Sequence, residues 1–296
     1  MSVDAAEVAD APVRATSGLA YLWRRYRTNR SAVVGGGMLV LFLVVAVGAP
    51  WIATHDPLAQ DLYGRLSAPS WEHPFGTDDF GRDILSRVIY GSRISLKIGI
   101  AAVTVALSLG TVIGLVAGYK GGVVDQVLMR VMDVMLAFPS ILLAIVIVAV
   151  LGPGLNHAML AVGIVAIPQY ARLVRASTLS VREADYVQAL RALGAGDVRI
   201  VATAVLPNCL APLIVQATLG LATSILDAAG LSFLGLGAQP PIPEWGAMLS
   251  GGRELILSAP WVLTYPGCAI FVTVLSFNLL GDGLRDTFDP RRVTVK

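Results

Sequence analysis

Uninterrupted apolar runs, separated by short polar stretches, set the pattern of this chain. They cover about 32–53, 94–118, 127–151, 158–174, 209–231 and 261–280. Runs of roughly twenty residues match the hydrocarbon thickness of a bilayer rather than one face of a soluble helix. Each predicts a membrane-crossing helix, because in lipid a helix satisfies its own backbone polar groups. The fold class expected is therefore all-α and polytopic, with about six transmembrane helices.

Composition agrees: 55% of the 296 residues are hydrophobic and 14% charged. A soluble domain carries roughly 25% charged residues, so this chain has too few to coat a globule. The net charge of +2 matters less than its placement. Arg24, Arg25, Arg27 and Arg30 precede the first run, Arg172 and Arg175 stand at the end of the fourth with Arg182, Arg191 and Arg199 beyond it, and Arg285, Arg291, Arg292 and Lys296 close the chain. The positive-inside rule puts these segments, and both termini, in the cytoplasm. Arg65, Arg82 and Arg87 in the first outer loop run against that bias, offset by nearby acidic residues.

The chain divides accordingly. Residues 1–30 form a cytoplasmic segment, and 31–93 hold the first helix, a retained anchor, and an outer loop. Residues 94–284 form a five-helix core and 285–296 a cytoplasmic tail. In the outer loop Ile84, Leu85, Val88 and Ile89 share one helical face, with Arg82, Asp83, Ser86 and Arg87 opposite. That predicts an amphipathic helix lying at the membrane surface. Asp78, Asp79 and Asp83 lack the spacing of a calcium loop. Cys209 and Cys268 lie in apolar runs and the three histidines are scattered, so no metal site and no cofactor is expected.

Between the fourth and fifth runs lies a polar stretch, 177–207. Ala184 to Leu193 favours helix, and Gly194 and Gly196 end it, since glycine takes the left-handed cap conformation without strain. Asp197 is placed to cap a second helix that stops before Pro207. The product is a helical hairpin with a small apolar tip at Ala192, Leu193, Gly194 and Ala195, suited to enter a groove on another protein.

This segment resembles the EAA loop of ATP-binding-cassette (ABC) importer permeases: Glu-Ala-Ala, glycine further on, then Leu-Pro. The matching positions are Gln188-Ala189-Leu190, Gly194 and Leu206-Pro207, with Gln188 and Leu190 departing from the consensus. Three further stretches, 73–95 (HPFGTDDFGRDILSRVIYGSRIS), 230–246 (GLSFLGLGAQPPIPEWG) and 278–290 (NLLGDGLRDTFDP), are similar to the C-type permeases of dipeptide and oligopeptide importers. The resemblance implies the type I importer permease fold. It also implies a coupling surface at Tyr186, Gln188, Ala189, Ala192, Leu193, Gly194, Ala195, Leu206 and Pro207. The implied partners are a second homologous permease in a heterodimer, two cytoplasmic ABC ATPase domains, an extracytoplasmic peptide-binding protein and the lipid bilayer, with no nucleic acid. The implied location is the cytoplasmic (inner) membrane of a bacterium or archaeon. Nickel or glutathione stands beside peptides as possible cargo.

The chain has no phosphate-binding Gly-x-x-x-x-Gly-Lys-Ser/Thr loop, so ATP would be hydrolysed by a partner and the chain itself would be non-catalytic. An ion-driven secondary transporter is the alternative, although no inverted repeat is evident. Intramembrane protease motifs fail, since Leu279 stands where Gly-x-Gly-Asp needs glycine. Gly110, Gly114 and Gly118 recur every fourth residue and predict a smooth stripe for close helix packing. Pro139, Pro168 and Pro266 are candidate bends. Charges in spans need a reason: Asp133 is expected to pair with Arg130 one turn away, while Asp227, with no basic neighbour, is a candidate for the translocation path.

Overall fold

The computed structural model describes residues 26–288. The basic residues Arg24, Arg25, Arg291, Arg292 and Lys296, and most of the two terminal segments, lie outside them. In chain order the helices are α1 (Arg30–Ile52), α2 (Ile84–Lys120), α3 (Gly122–Leu136), α4 (Ser140–Leu151), α5 (Leu155–Arg182), α6 (Asp185–Ala192), α7 (Asp197–Ile200), α8 (Leu206–Phe233), α9 (Trp245–Gly252) and α10 (Trp261–Phe288). A π-helical turn, Val201–Val205, joins α7 to α8. Among the described residues there is no strand, only an isolated bridge between Thr77 and Asp83.

Among the described residues, five helices are long and apolar enough to cross a membrane, counting Asp197–Phe233 as one, and α3 with α4 form a pair bent by 94°. Contacts at the helix ends decide whether that pair crosses. Arg182, at the end of α5, donates to the carbonyls of Gly118 and Tyr119 at the end of α2. The 28-residue α5 is roughly 42 Å long at 1.5 Å per residue, so its start lies on the opposite face of the protein. The bent pair, leaving α2 and entering α5, must therefore traverse. That makes six crossings among the described residues. Asn29 before α1 bonds Asp286 near the end of α10 at 3.2 Å, so both ends of the described chain emerge on one face, which is also the hairpin's.

The bend falls at Pro139, which has no N–H to continue the ladder; Ala137 and Phe138 fill the break. Pro168 and Pro266 sit inside unbroken helices. The helices pack through small residues, as helices in lipid require. A Cβ on Gly110 would lie 2.5 Å from Tyr170 Cβ, on Gly114 2.5 Å from the Ala171 carbonyl oxygen, and on Gly118 2.8 Å from Thr178 Cβ. The predicted stripe thus brings α2 backbone-close to α5. A reciprocal pair joins α1 to α10, where Gly35 faces Leu280 and Gly283 faces Ala32.

Three expectations need correction. Residues 84–93 are not a separate surface helix but the first turns of α2, and their polar side is as buried as their apolar side: Ile84, Ser86, Arg87 and Ile89 are all buried. The reason is that the outer loops fold over this end. Arg87 donates to the carbonyls of Pro57 and Pro241, and Arg82 pairs with Asp78 at 2.7 Å. These buried pairings absorb two of the arginines that ran against the charge bias. Asp133 pairs not with Arg130 but with Arg172 at 2.5 Å, because α3 lies against α5, where Arg175 also grips Asp125 through two bonds. Finally, no break precedes Pro207: α7, the π-turn and α8 run on as one helical arm, Asp197–Phe233.

Gly114→Val should force α2 from α5, at a cost of about 1–3 kcal/mol for overpacking. Gly37→Val, where a Cβ meets nothing within 4 Å, is the matched control. The Gly114 variant should melt lower in detergent and the Gly37 variant should not. Equal melting of both would refute close α2–α5 contact.

Candidate coupling hairpin and translocation face

The hairpin is built from α6, the turn at 193–196, and α7. Helix α6 ends because Gly194 takes φ +81° and closes a pair of turn bonds, Gly194 N–H to the Arg191 carbonyl and Ala195 N–H to the Leu190 carbonyl. Nothing lies within 4 Å of a Cβ built there, so glycine is needed for its backbone angle and not for space. Gly196 takes φ −71° and needs no such freedom. It also occupies the cap position expected for Asp197, which makes no side-chain cap. The Asp197 carboxylate instead accepts a bond from the Tyr119 hydroxyl at 2.8 Å.

One side of the hairpin is anchored. Val187, Ile200, Ala204, Val205 and Cys209 are buried in one cluster with Tyr170 and Val174 of α5 and Val103 and Ala106 of α2. Arg191 lies over the Tyr119 ring at 5.5 Å, a cation–π contact. Tyr186 accepts from Asn208 through its hydroxyl at 3.1 Å, linking α6 to α8. The other side is bare. Leu193 is 85% and Val198 84% exposed, and Gln188, Ala189, Ala192 and Gly194 are exposed beside them.

Of the residues expected to form this surface, Tyr186, Gln188, Ala189, Ala192, Leu193 and Gly194 share the exposed tip and α6. Ala195 is half-buried under the turn, and Leu206 and Pro207 lie along the α8 arm rather than at the tip. Val198 and the Tyr119–Asp197 latch were not foreseen. Val198 follows the glycines at a position that a helical reading of 197–200 leaves unassigned to either face. The latch joins residues 78 apart in sequence and leaves no local pattern.

Asp227 is half-buried on α8 and has no ion pair among the described residues. Nearer the hairpin face, an open cleft of ≈450 Å³ is lined by Leu173, Pro212, Gln216, Leu219, Arg285 and Phe288 from three helices. At the opposite face Glu244 caps α9, accepting from the Gly246 and Ala247 N–H groups at 2.9 and 2.8 Å. Burial pushes its carboxyl up, against the pull of those two donors. Trp245 donates to the Val88 carbonyl and Trp261 to the Thr77 carbonyl, so the outer loops and the ends of α2, α9 and α10 form one platform.

Bundle, hairpin and open cleft together describe a permease subunit. Residues 110–294 match the family of binding-protein-dependent transport system inner membrane components, and 17–69 match the N-terminal transmembrane domain of oligopeptide transport permease C. This chain belongs to the binding-protein-dependent transport system inner membrane component family. It is 51% identical over 91% of its length to the dipeptide transport system permease protein DppC of Alkalihalophilus pseudofirmus, covering 88% of that protein. It is 50% identical to the dipeptide transport system permease protein of Escherichia coli K12, covering 96% of this chain and 97% of the relative. A glutathione transport system permease protein of Escherichia coli O6:K15:H31 is 48% identical over 91% of this chain and 89% of its own. Among solved structures, a chain of the MetNI methionine ABC transporter in an inward-facing conformation shares the fold, with TM-score 0.58 and 20% identity, covering 70% of this chain and 98% of that one. Family membership sets aside the secondary transporter and the intramembrane protease.

The latch can be tested directly. Tyr119→Phe removes the bond to Asp197 and should cost about 0.5–1.5 kcal/mol, locally. Amide hydrogen exchange should quicken across 185–200 while the amides of α5 keep their protection. Unchanged exchange at the hairpin would show that its packing alone holds it.

Proposed function

We propose that this chain is one of two permease subunits of an ABC importer of dipeptides or short oligopeptides. It would contribute half of the translocation path and pass ATPase motion to it through the hairpin. The observation that carries the reading is the hairpin itself: an exposed apolar tip on a rigid base, fused without a break to α8. Beyond the turn, Asp197–Phe233 is one helical arm, so a partner that moves its exposed start at Val198 moves α8 with it. The near-full-length likeness to dipeptide permeases supports the cargo, and the glutathione relative favours small peptides as a class.

In this reading the hairpin face is cytoplasmic, and Arg172, Arg175, Arg182, Arg191, Arg199 and Arg285 gather there as the positive-inside rule requires. Two ABC ATPase domains dock on that face, one on each permease. The second permease, a homologue rather than a copy, closes the open cleft by Gln216 and Arg285. An extracytoplasmic binding protein delivers peptide to the outer platform, and Asp227 receives the charged amino end within the path. The chain performs no chemistry; ATP is hydrolysed by the ATPases, and the bundle alternates between two states that nucleotide binding biases. The membrane is the cytoplasmic membrane of a prokaryote.

The assembly predicts that the chain, extracted in mild detergent from cells carrying its whole transport system, retains two ATPase domains and a second permease. Isolation as a lone chain with full uptake activity would overturn the proposal.

Gly194→Val should strain the turn by about 1–2 kcal/mol and uncouple ATP hydrolysis from uptake. Gly194→Asn, which tolerates a positive φ, should retain more coupling. Leu193→Asp should weaken ATPase docking by placing an unpaired charge in the contact. Uptake and ATPase rate in proteoliposomes read all three, and normal coupled transport in the Val and Asp variants would sink the hairpin's role. Asp227→Asn should slow uptake of peptides with a free amino end more than of N-acetylated ones; equal effects on both would remove Asp227 from the path.

A further inference from the structure

Two of the three histidines, dismissed as scattered on sequence grounds, meet in the folded chain. His55 follows the end of α1, His73 lies in the outer loop, and Asp83 caps α2. Their ligand atoms all fall within 4.8 Å of one another. His73 Nδ1 donates to Asp83 Oδ1 at 2.9 Å, His55 Nδ1 lies 3.8 Å from Asp83 Oδ2, and the two imidazole rings sit 4.6 Å apart. The third histidine, His157, is bound to the Gly152 carbonyl elsewhere.

We propose that His55, His73 and Asp83 form a binding site for a first-row transition cation of the Zn²⁺ class, which staples the outer end of α1 to the start of α2. The donor set is the right one, since two imidazoles and a carboxylate suit Zn²⁺ and leave a fourth position for water. The carboxylate is held ready. Asp83 is buried and its Oδ2 accepts from the Ser86 N–H at 2.8 Å, while Thr54 Oγ1 lies 3.4 Å away. Such outer contacts orient a metal ligand and are part of what makes a site rather than a cluster. The imidazoles remain half-exposed, so the site has an entry route. On binding, the cation takes the place of the Nδ1 proton that His73 shares with Asp83, and the ring stays neutral by carrying its one proton on Nε2. The cap bond from Ser86 is untouched, so the helix start is preserved with or without metal.

The consequence is mechanical. The three ligands come from three separate pieces of chain, and a cation joining them restrains α1 against α2 on the outer face, far from the hairpin. It does so whatever the importer carries, so its test stands apart from the test of transport.

The experiment uses the full chain, purified in detergent with its partner subunits on a tag free of histidine, and Zn²⁺ alone as probe. Equilibrium dialysis against a competing chelator should find one tight Zn²⁺ attributable to this chain, and Zn²⁺ should raise its melting temperature. Co²⁺ in its place should give the visible absorption of a nitrogen- and oxygen-ligated ion. His55→Gln, which leaves the His73–Asp83 bond and the helix cap intact, should weaken binding by at least about tenfold, the loss that even an outer partner of a ligand produces. His73→Gln should do the same, and His157→Gln should change nothing. If wild-type and His55→Gln proteins bind Zn²⁺ equally, or if neither binds more than the chelator allows, the site does not exist.

Discussion

The backbone-close packing of α2 on α5 is the contact from which the rest of this structure follows. In lipid there is no hydrophobic gain from bringing two apolar helices together, so close approach must be earned by van der Waals fit. The stripe Gly110, Gly114 and Gly118 provides it, with Tyr170, Ala171, Val174 and Thr178 seated against bare backbone. Because the approach continues to the last turn of α2, Arg182 can reach the terminal carbonyls of Gly118 and Tyr119. Those carbonyls have no partner within their own helix, and a guanidinium suits them in charge as well as in hydrogen bonding. The same proximity sets Tyr119 where its hydroxyl finds Asp197 and its ring meets Arg191. A loose α2–α5 contact would leave the hairpin swinging on its two connections.

The second arm of the hairpin is continuous with the span that follows it. Pro207 would ordinarily end a helix arriving from its N-terminal side, since it removes a donor and its ring crowds the carbonyl four residues back. Here a π-turn at Val201–Val205 precedes it. A wider turn shifts the hydrogen-bond register and leaves room for the ring, so α8 restarts with proline in its first turn, where the missing N–H costs nothing. The helix runs from Asp197 to Phe233 without a break, through the π-turn, Pro207 and Pro212. In the proposed coupling, the continuity of this arm rather than any particular side chain would carry a push on Val198 into the span.

Much of this was legible in the sequence because it depends on local rules. The spans appeared as apolar runs, the α2–α5 contact as a four-residue glycine period, and the turn at Gly194 as glycine after a helix-favouring stretch. What escaped were relations between distant segments. Asp133 has Arg130 one turn away, and a single-helix view pairs them; the helix brought alongside by the bend at Pro139 supplies Arg172 instead. Residues 84–89 show a clean apolar face, which alone describes a helix on a surface. Their polar face is buried because loops from both ends of the chain close over it, bringing the Pro57 and Pro241 carbonyls to Arg87. Likewise His55 and His73 are 18 positions apart with no ligand spacing between them, and only the fold of the outer loop makes them neighbours.

The outer end is organised by a different principle from the inner one. At the hairpin, apolar packing fixes a base and leaves a bare tip. At the outer platform, buried charges and carbonyls are matched one to another: Asp78 with Arg82, Arg87 with two proline carbonyls, Glu244 with the N–H groups that open α9. Buried pairings of this kind add little net stability when compared with apolar packing, but removing one partner is costly. They therefore favour one arrangement of the loops over near alternatives. In the proposed alternation between two states, the outer loops would stay fixed relative to the ends of α2, α9 and α10 while whole helices tilt. The bent pair α3–α4 is joined to α5 by ion pairs at its inner half and by apolar contacts and the His157–Gly152 bond at its outer half, so the break at Pro139 divides two differently held halves.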